Sequence, residues 1–324
     1  MPHAEQPSTE RNMYEELGVK LFTPEPEGFD PRDASDRELL DYGYPPRPDA
    51  QNYPELHEHW NQLMSQPRIV IQPQFGNLPD ESFGSSVEYG PITDFPGWSG
   101  SVLHPTGGFP FTSVSGVWTV PDTAPPRIVE GSYTYECATW VGIDGGSEDS
   151  YAPYLVQAGT SQSVKVTYYD VPVWGSYYSV SHTTYAWWEW LPDKSYQISN
   201  FPVSPGDVVA CYISVLSPTE VSFHMWNMTT GILAPFRKSA PQGAEVRGLT
   251  AEWILECPHK RGQPVYMPKF GWVYFDYCIA GVQDRLFGGG DGAFQSLKDV
   301  NGRAVSEPVG ITDLLFKIRY HGTP

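Results

Sequence analysis

The sequence predicts an all-β protein: an antiparallel β-sandwich of two curved sheets, preceded by a mostly irregular N-terminal extension. Three observations carry this reading. Aromatic residues make up 14% of the 324 residues, with 11 Trp and 20 Tyr, and pleated, half-buried strands select aromatic and β-branched side chains. The apolar runs are short and are broken by 31 Gly and 32 Pro, which suits a sandwich rather than a helical bundle. Within the runs, side chains alternate in character with the period of a strand.

Residues 1–95 stand apart. The first 60 hold 14 acidic and 5 basic residues and many prolines. Helices are expected at about 10–21 and at about 54–66, where Leu56, Trp60 and Leu63 fall at helical spacing. Tyr44-Pro45-Pro46-Arg47-Pro48 is an extended connector. This region reads as a pro-segment, a lid, or a strap packed on the sandwich. If it covers the working groove, its removal should raise activity.

From Trp98 onward the pattern is strand and turn. Strands are expected near 98–103, 113–120, 135–142, 153–158, 163–170, 184–190, 207–216, 221–227, 250–257, 272–277 and 313–320. Ser204-Pro205-Gly206-Asp207 is a turn before a strand. Phe287 to Gly292 reads as a flexible glycine loop, with neither the Lys nor the helix of a phosphate cradle. The chain divides into an extension, 1–95, and a sandwich domain, 96–324.

Charge excludes several partners. Lys and Arg number 20 against 38 Asp and Glu, a net −18, the wrong sign for nucleic acid or an anionic membrane surface. No apolar run approaches the ~18–20 residues of a spanning helix. The start, Met-Pro-His-Ala-Glu-Gln-Pro, has no basic and apolar leader pattern. Localisation therefore stays open between cytoplasm and export. The four cysteines, Cys137, Cys211, Cys257 and Cys278, include no close pair, so no zinc site is expected, and reduced buried thiols are the favoured state. Oligomeric state is open, with a monomer favoured.

Two segments carry the chemistry. Tyr154-Leu155-Val156-Gln157-Ala158-Gly159 holds an amide, and Ala251-Glu252-Trp253-Ile254-Leu255-Glu256 ends in a carboxylate. On a strand, Ala251, Trp253 and Leu255 form one apolar face, and burying it fixes where Glu256 points. A carboxylate and an amide on rigid strands suit acid–base work joined to oxyanion stabilisation. Further segments follow in order: Val114 to Pro121, Thr139-Trp140-Val141-Gly142-Ile143-Asp144-Gly145, Ala186-Trp187-Trp188-Glu189-Trp190-Leu191-Pro192, and Asn227 to Gly231.

With these segments in this order, residues 96–322 resemble the glutamic peptidases, or eqolisins, acid-acting endopeptidases insensitive to pepstatin. The resemblance implies a concanavalin A-like sandwich and a dyad of Gln157 and Glu256. Glu256 would activate water and protonate the leaving amine, and Gln157 would bind the oxyanion, with no cofactor or metal. The substrates would be proteins or peptides. By the same resemblance Trp140, Asp144, Trp187 and Glu189 line the substrate cleft, while Trp188 and Trp190 read as core. Three positions depart from the fungal pattern. Thr160 and Ser161 follow the Ala-Gly where an acid is usual, Tyr185 replaces an Asp, and Leu191 replaces an aromatic.

Other signatures are absent. There is no G-x-S-x-G elbow, no His-Glu-x-x-His, and no Asp-Thr-Gly, since Asp122-Thr123 is followed by Ala124. His57-Glu58-His59 reads as solvated. Asn227-Met228-Thr229 fits a glycosylation sequon. A carbohydrate-binding lectin-like sandwich, or a glycoside hydrolase pairing Glu256 with Glu189 or Glu252, remains the alternative. Glu252 and Glu256 lie about 13 Å apart along a strand, which disfavours that pair.

Overall fold

A computed structural model describes residues 13–79, 97–126, 131–146, 154–171, 173, 175–258, 266–283, 285–299 and 302–322. The extension supplies strands β1 (Val19–Lys20), β2 (Ile69–Val70) and β3 (Phe75–Gly76) and helices α1 (Asp36–Tyr42) and α2 (Pro54–Ser65). The sandwich begins with β4 (Trp98–Leu103), β5 (Ser113–Thr119), β6 (Tyr133–Ile143), β7 (Val156–Val171) and β8 (Gly175–Trp190). It continues through β9 (Tyr196–Ile198), β10 (Val208–Ser217), β11 (Glu220–Asn227), β12 (Ile232–Ser239) and β13 (Ala251–Glu256). The last strands are β14 (Trp272–Val282), β15 (Arg285–Gly288), β16 (Ala293–Gln295), β17 (Leu297–Lys298), β18 (Ala304–Thr312) and β19 (Leu315–Tyr320).

Two sheets form, as expected. The smaller runs β16-β4-β13-β6-β7-β8-β9-β3. The larger runs β1-β12-β11-β10-β5-β14-β19-β18-β17, with β15 on β14 and β2 on β12. Their facing sides share one core, which contains Val141, Trp188, Trp190, Trp253 and Leu255 from the smaller sheet and Trp118, Ile213, Phe223 and Phe275 from the larger. The expected core tryptophans Trp188 and Trp190 are there. Trp253 also satisfies its indole N–H, donating to the Ser115 carbonyl at 2.6 Å.

The extension is a strap built into both sheets. Val19 pairs with Lys238 and Ile69 with Ile232, extending the larger sheet beyond β12. Phe75 pairs with Ile198, closing the edge of the smaller sheet beyond β9. Tyr14, Val19 and Phe75 enter the shared core. Leu39, Tyr44, Trp60 and Met64 form a second cluster with Trp226 and Leu233 on the outer side of the larger sheet.

Several local expectations need correction. The second predicted helix forms at Pro54–Ser65; of the first, residues 13–16 are helical, after which the chain turns into β1, and residues 10–12 lie outside those described. His59 is not solvated. Its ring stacks on Tyr277 with centroids 3.3 Å apart, and burial pushes its pKa down to about 4. The glycine loop is ordered as β15 followed by a single 3₁₀ turn at Gly289–Asp291. Asn227 is wholly buried and donates to the Pro202 carbonyl at 3.0 Å and to Asp207 at 2.8 Å, so the sequon serves a turn and not a glycan.

Candidate active site

The outer face of the smaller sheet carries the candidate chemistry. The segments expected at 153–158 and 163–170 form one long strand, β7, and 184–190 is the end of β8. The two pair along their whole length, and the register sets Gln157 opposite Glu189 and Gly159 opposite Trp187. On the other side of β7, Gly159 faces Trp140 of β6. Trp140 in turn faces Ile254 of β13, and Ala138 faces Glu256. Period-2 alternation thus puts Gln157, Glu189, Trp140, Trp187 and Glu256 on one face. Trp140, Trp187, Tyr185, Ile254, Leu155 and Trp98 pack there as a cluster separate from the core. Glycine is required at 159: a Cβ there would lie 2.2 Å from the Thr139 carbonyl oxygen and 2.6 Å from the Trp140 Cβ.

Gln157 is fixed by its neighbour. Its Nε2 donates to Glu189 Oε2 at 2.6 Å, and the Ser195 hydroxyl donates to Glu189 Oε1 at 2.6 Å. Glu189 therefore uses both oxygens to hold the amide. Burial raises its pKa, and these two bonds pull the other way. Among the described residues the second Nε2 hydrogen of Gln157 meets no acceptor, and its Oε1 is buried without a partner.

Glu256 is held by indoles. Trp140 Nε1 donates to Glu256 Oε2 at 3.0 Å, and Trp98, which meets Trp140 edge-on with centroids 4.9 Å apart, also hydrogen-bonds the carboxylate. Burial pushes the Glu256 pKa up to about 7; the charge of Glu189 adds to this and the two indoles oppose it. Glu256 and Gln157 make no hydrogen bond to each other. They occupy the same face with β6 between their strands, and Glu256 is the one residue of β13 that is only partly buried.

Asp144 is the exception among the expected residues. Its carboxylate accepts the backbone N–H groups of Arg247, Gly248 and Leu249, the last at 2.6 Å, and the side chain is buried. It tethers the loop ahead of β13. Glu252 acts similarly: wholly buried, its Oε1 accepts Gly145 N at 3.0 Å and Gly146 N at 2.9 Å. A carboxylate tied to backbone in this way is a poor partner for Glu256 in glycoside cleavage.

Sequence reasoning missed two contributors. Ser195 lies outside every motif, and only the fold brings it to Glu189. Trp98 could have been found: it opens an expected strand, and in the register it sits opposite Glu256. The departures are accommodated. Thr160 Oγ1 accepts the Trp118 indole N–H at 3.0 Å, and Tyr185 and Leu191 join the outer-face cluster.

The sequence comparison decides the family. The peptidase A4 family model matches residues 96–308. The chain belongs to the peptidase A4 family. Two curated relatives are similar to it. Aspergillopepsin-2 of Aspergillus niger is 28% identical over 193 residues, spanning 55% of this chain and 61% of that protein. Scytalidopepsin B of Scytalidium lignicola is 28% identical over 159 residues, 49% of this chain and 50% of that protein. The chain thus matches less than two thirds of either relative. Two solved structures of scytalido-glutamic peptidase share the fold. One, with a transition state analog inhibitor, aligns at a TM-score of 0.55 and 22% identity, over 70% of this chain and all of the other. The second, with a peptide-based transition state analog, gives 0.53 and 21% over the same shares. The A4 sandwich is therefore the architecture anticipated from strand pattern.

The buried acids of this A4 chain set a pH dependence of stability. Burial pushes Glu252 up to about 8 and Glu256 to about 7, so the folded state holds protons that the unfolded chain releases near its ordinary 4.5. That stabilisation is complete below pH 4.5 and is lost as pH rises through 7 and 8. The buried His59 and His224, both lowered to about 4, act oppositely between pH 4 and 6.5 and not at all above it. Between pH 6.5 and 8 the carboxyls dominate. Stability should fall there by about 2 kcal/mol, or roughly 3 °C in Tm. Glu252→Gln should remove most of that slope, and a Tm that is flat or rises over this range would refute the assignment.

Proposed function

We propose that this chain is a glutamic endopeptidase that hydrolyses peptide bonds through Glu256 and Gln157. Glu256 takes a proton from a water as the water attacks the scissile carbonyl. The free N–H of the Gln157 amide donates to the oxygen on which negative charge develops. Glu256 then delivers the proton to the leaving amine, and the tetrahedral intermediate collapses. The protein itself supplies the base, the oxyanion donor and the acid.

The observation that carries this reading is the holding of Gln157 by Glu189. An amide clamped on one hydrogen is preorganised to offer the other, which is what oxyanion stabilisation demands. Ser195 clamps Glu189 in turn. The names of the relatives and of the structural neighbours support the same chemistry. Trp140 and Trp187 are buried on this same face and shape the floor of the proposed cleft. Substrates are proteins or peptides in an extended form.

The test is cleavage of a denatured protein by the purified chain from about pH 2 to 9, which covers both the protonated and the ionised form of Glu256, with pepstatin, a metal chelator and a serine-directed reagent added separately. Internal cleavage that survives all three is expected. A folded, monodisperse protein inert at every pH would refute the proposal, as would cleavage abolished by any one reagent.

A further inference from the structure

The chemistry proposed for the outer face uses none of the four cysteines, yet two of them are cross-strand neighbours. The register pairs Glu256 of β13 with Ala138 of β6, so the next pair along the same ladder is Cys257 and Cys137. At Cys257 the chain is still within the sheet, because its N–H donates to the Gly97 carbonyl at 2.8 Å. Alternation turns both cysteines inward, opposite to Glu256. Cys137 is buried in the core between the sheets, and the partly buried Cys257 packs against that core. The two side chains are near enough to interact: Cys257 adds to the upward shift that burial imposes on Cys137. Residues directly opposite in an antiparallel ladder have Cα atoms about 4.5 or 5.5 Å apart, and both values fall within the roughly 4.4–6.8 Å of disulfides. Cys211 on β10 and Cys278 on β14 are separated by β5, about two strand spacings or 9.6 Å.

We propose that Cys137 and Cys257 form a disulfide when the chain folds under oxidising conditions, a staple from β6 to β13 one residue beyond Glu256. With glutathione disulfide as oxidant, the Cys257 thiolate attacks one of its sulfurs and expels one glutathione thiolate. Cys137 then attacks the Cys257 sulfur of the mixed disulfide and expels the second glutathione. The protein loses two protons and two electrons, and glutathione disulfide gains them as two glutathione molecules. The bond forms during folding. In the folded reduced protein burial pushes the Cys257 thiol up to about 12 and that of Cys137 further still, so little thiolate is present to react. The staple closes a loop of about 120 residues and ties down the strand end that carries Glu256.

The full chain, reduced and unfolded, would be refolded in a glutathione redox buffer and alkylated under denaturing conditions. The expected product is about 2 Da lighter than the reduced chain, alkylates at Cys211 and Cys278 only, and yields a peptide joining Cys137 to Cys257. Its Tm should exceed that of the reduced protein by on the order of 10 °C, a gain absent in Cys257→Ser. Alkylation at all four positions, or a bond to Cys211 or Cys278, would overturn the proposal. The peptide mapping on the wild type decides the matter by itself if Cys257→Ser does not fold.

Discussion

Glu256→Gln should abolish proteolysis, with kcat lowered by at least about 10³-fold and the fold intact. The substitution keeps the volume and an oxygen for the Trp140 indole, so the local packing has no reason to change. What it removes is the carboxyl that ends β13 on this face and that the proposed mechanism uses for both proton transfers. General acid–base catalysis by a placed side chain contributes about 10²–10⁴ in rate, and here one carboxyl serves both proton transfers. Gln157→Ala should cost about 10²–10³ in kcat, the usual effect of losing one oxyanion donor. KM should change little in either variant, because neither group binds the ground state strongly. Single-turnover kinetics on a defined peptide, with circular dichroism to confirm folding, would check both. If Glu256→Gln keeps activity within tenfold of wild type, Glu256 is not the base.

Deleting residues 1–95 should yield insoluble or unfolded protein, not a more active enzyme. The described part of the extension does not lie as a removable cover. It supplies Tyr14, Val19 and Phe75 to the shared core and Trp60 and Met64 to the cluster on the larger sheet. Fully burying one such side chain is worth about 1.5–3 kcal/mol, so a handful exceeds the ~5–15 kcal/mol net stability of a typical domain. The deletion would also bare the edges of β12 and β9, and open edges invite pairing with other chains. Soluble yield, far-UV circular dichroism and activity of the truncated chain would be compared with the full length. A soluble, cooperatively melting truncation with increased activity would restore the pro-segment reading.

The site strands were legible because their two faces differ sharply. In Ala251 to Glu256 the register followed from three apolar side chains, and it also placed Glu256. The second-layer contacts were not legible. Nothing local to Ser195 or to Asp144 says that one reaches Glu189 and the other tethers 247–249; those pairings join residues distant in sequence. Strand β12 escaped because Pro235 argues against a strand interior. The structure resolves this. β2 pairs with 232–233 and β1 with 237–238, so the missing N–H of Pro235 falls in the gap between them. Pro308 of β18 similarly lies beyond the residues that pair with β17. Helix α1 was readable in principle, since Ser35 and Glu38 form a reciprocal capping box, but seven residues give too little periodicity to see.

The pairing of β1 with β12 also governs the order of assembly on the ribosome. Val19 is made roughly 200 residues ahead of Lys238, on the order of 10–40 s at ordinary elongation rates. Throughout that interval the strap has no edge to join. Its aromatic residues must stay unpaired, or be shielded by a chaperone, until β12 and the strands before it have emerged. The β1 edge of the larger sheet can therefore close only after β12 is made, and slowing translation would lengthen the period of exposure rather than help it.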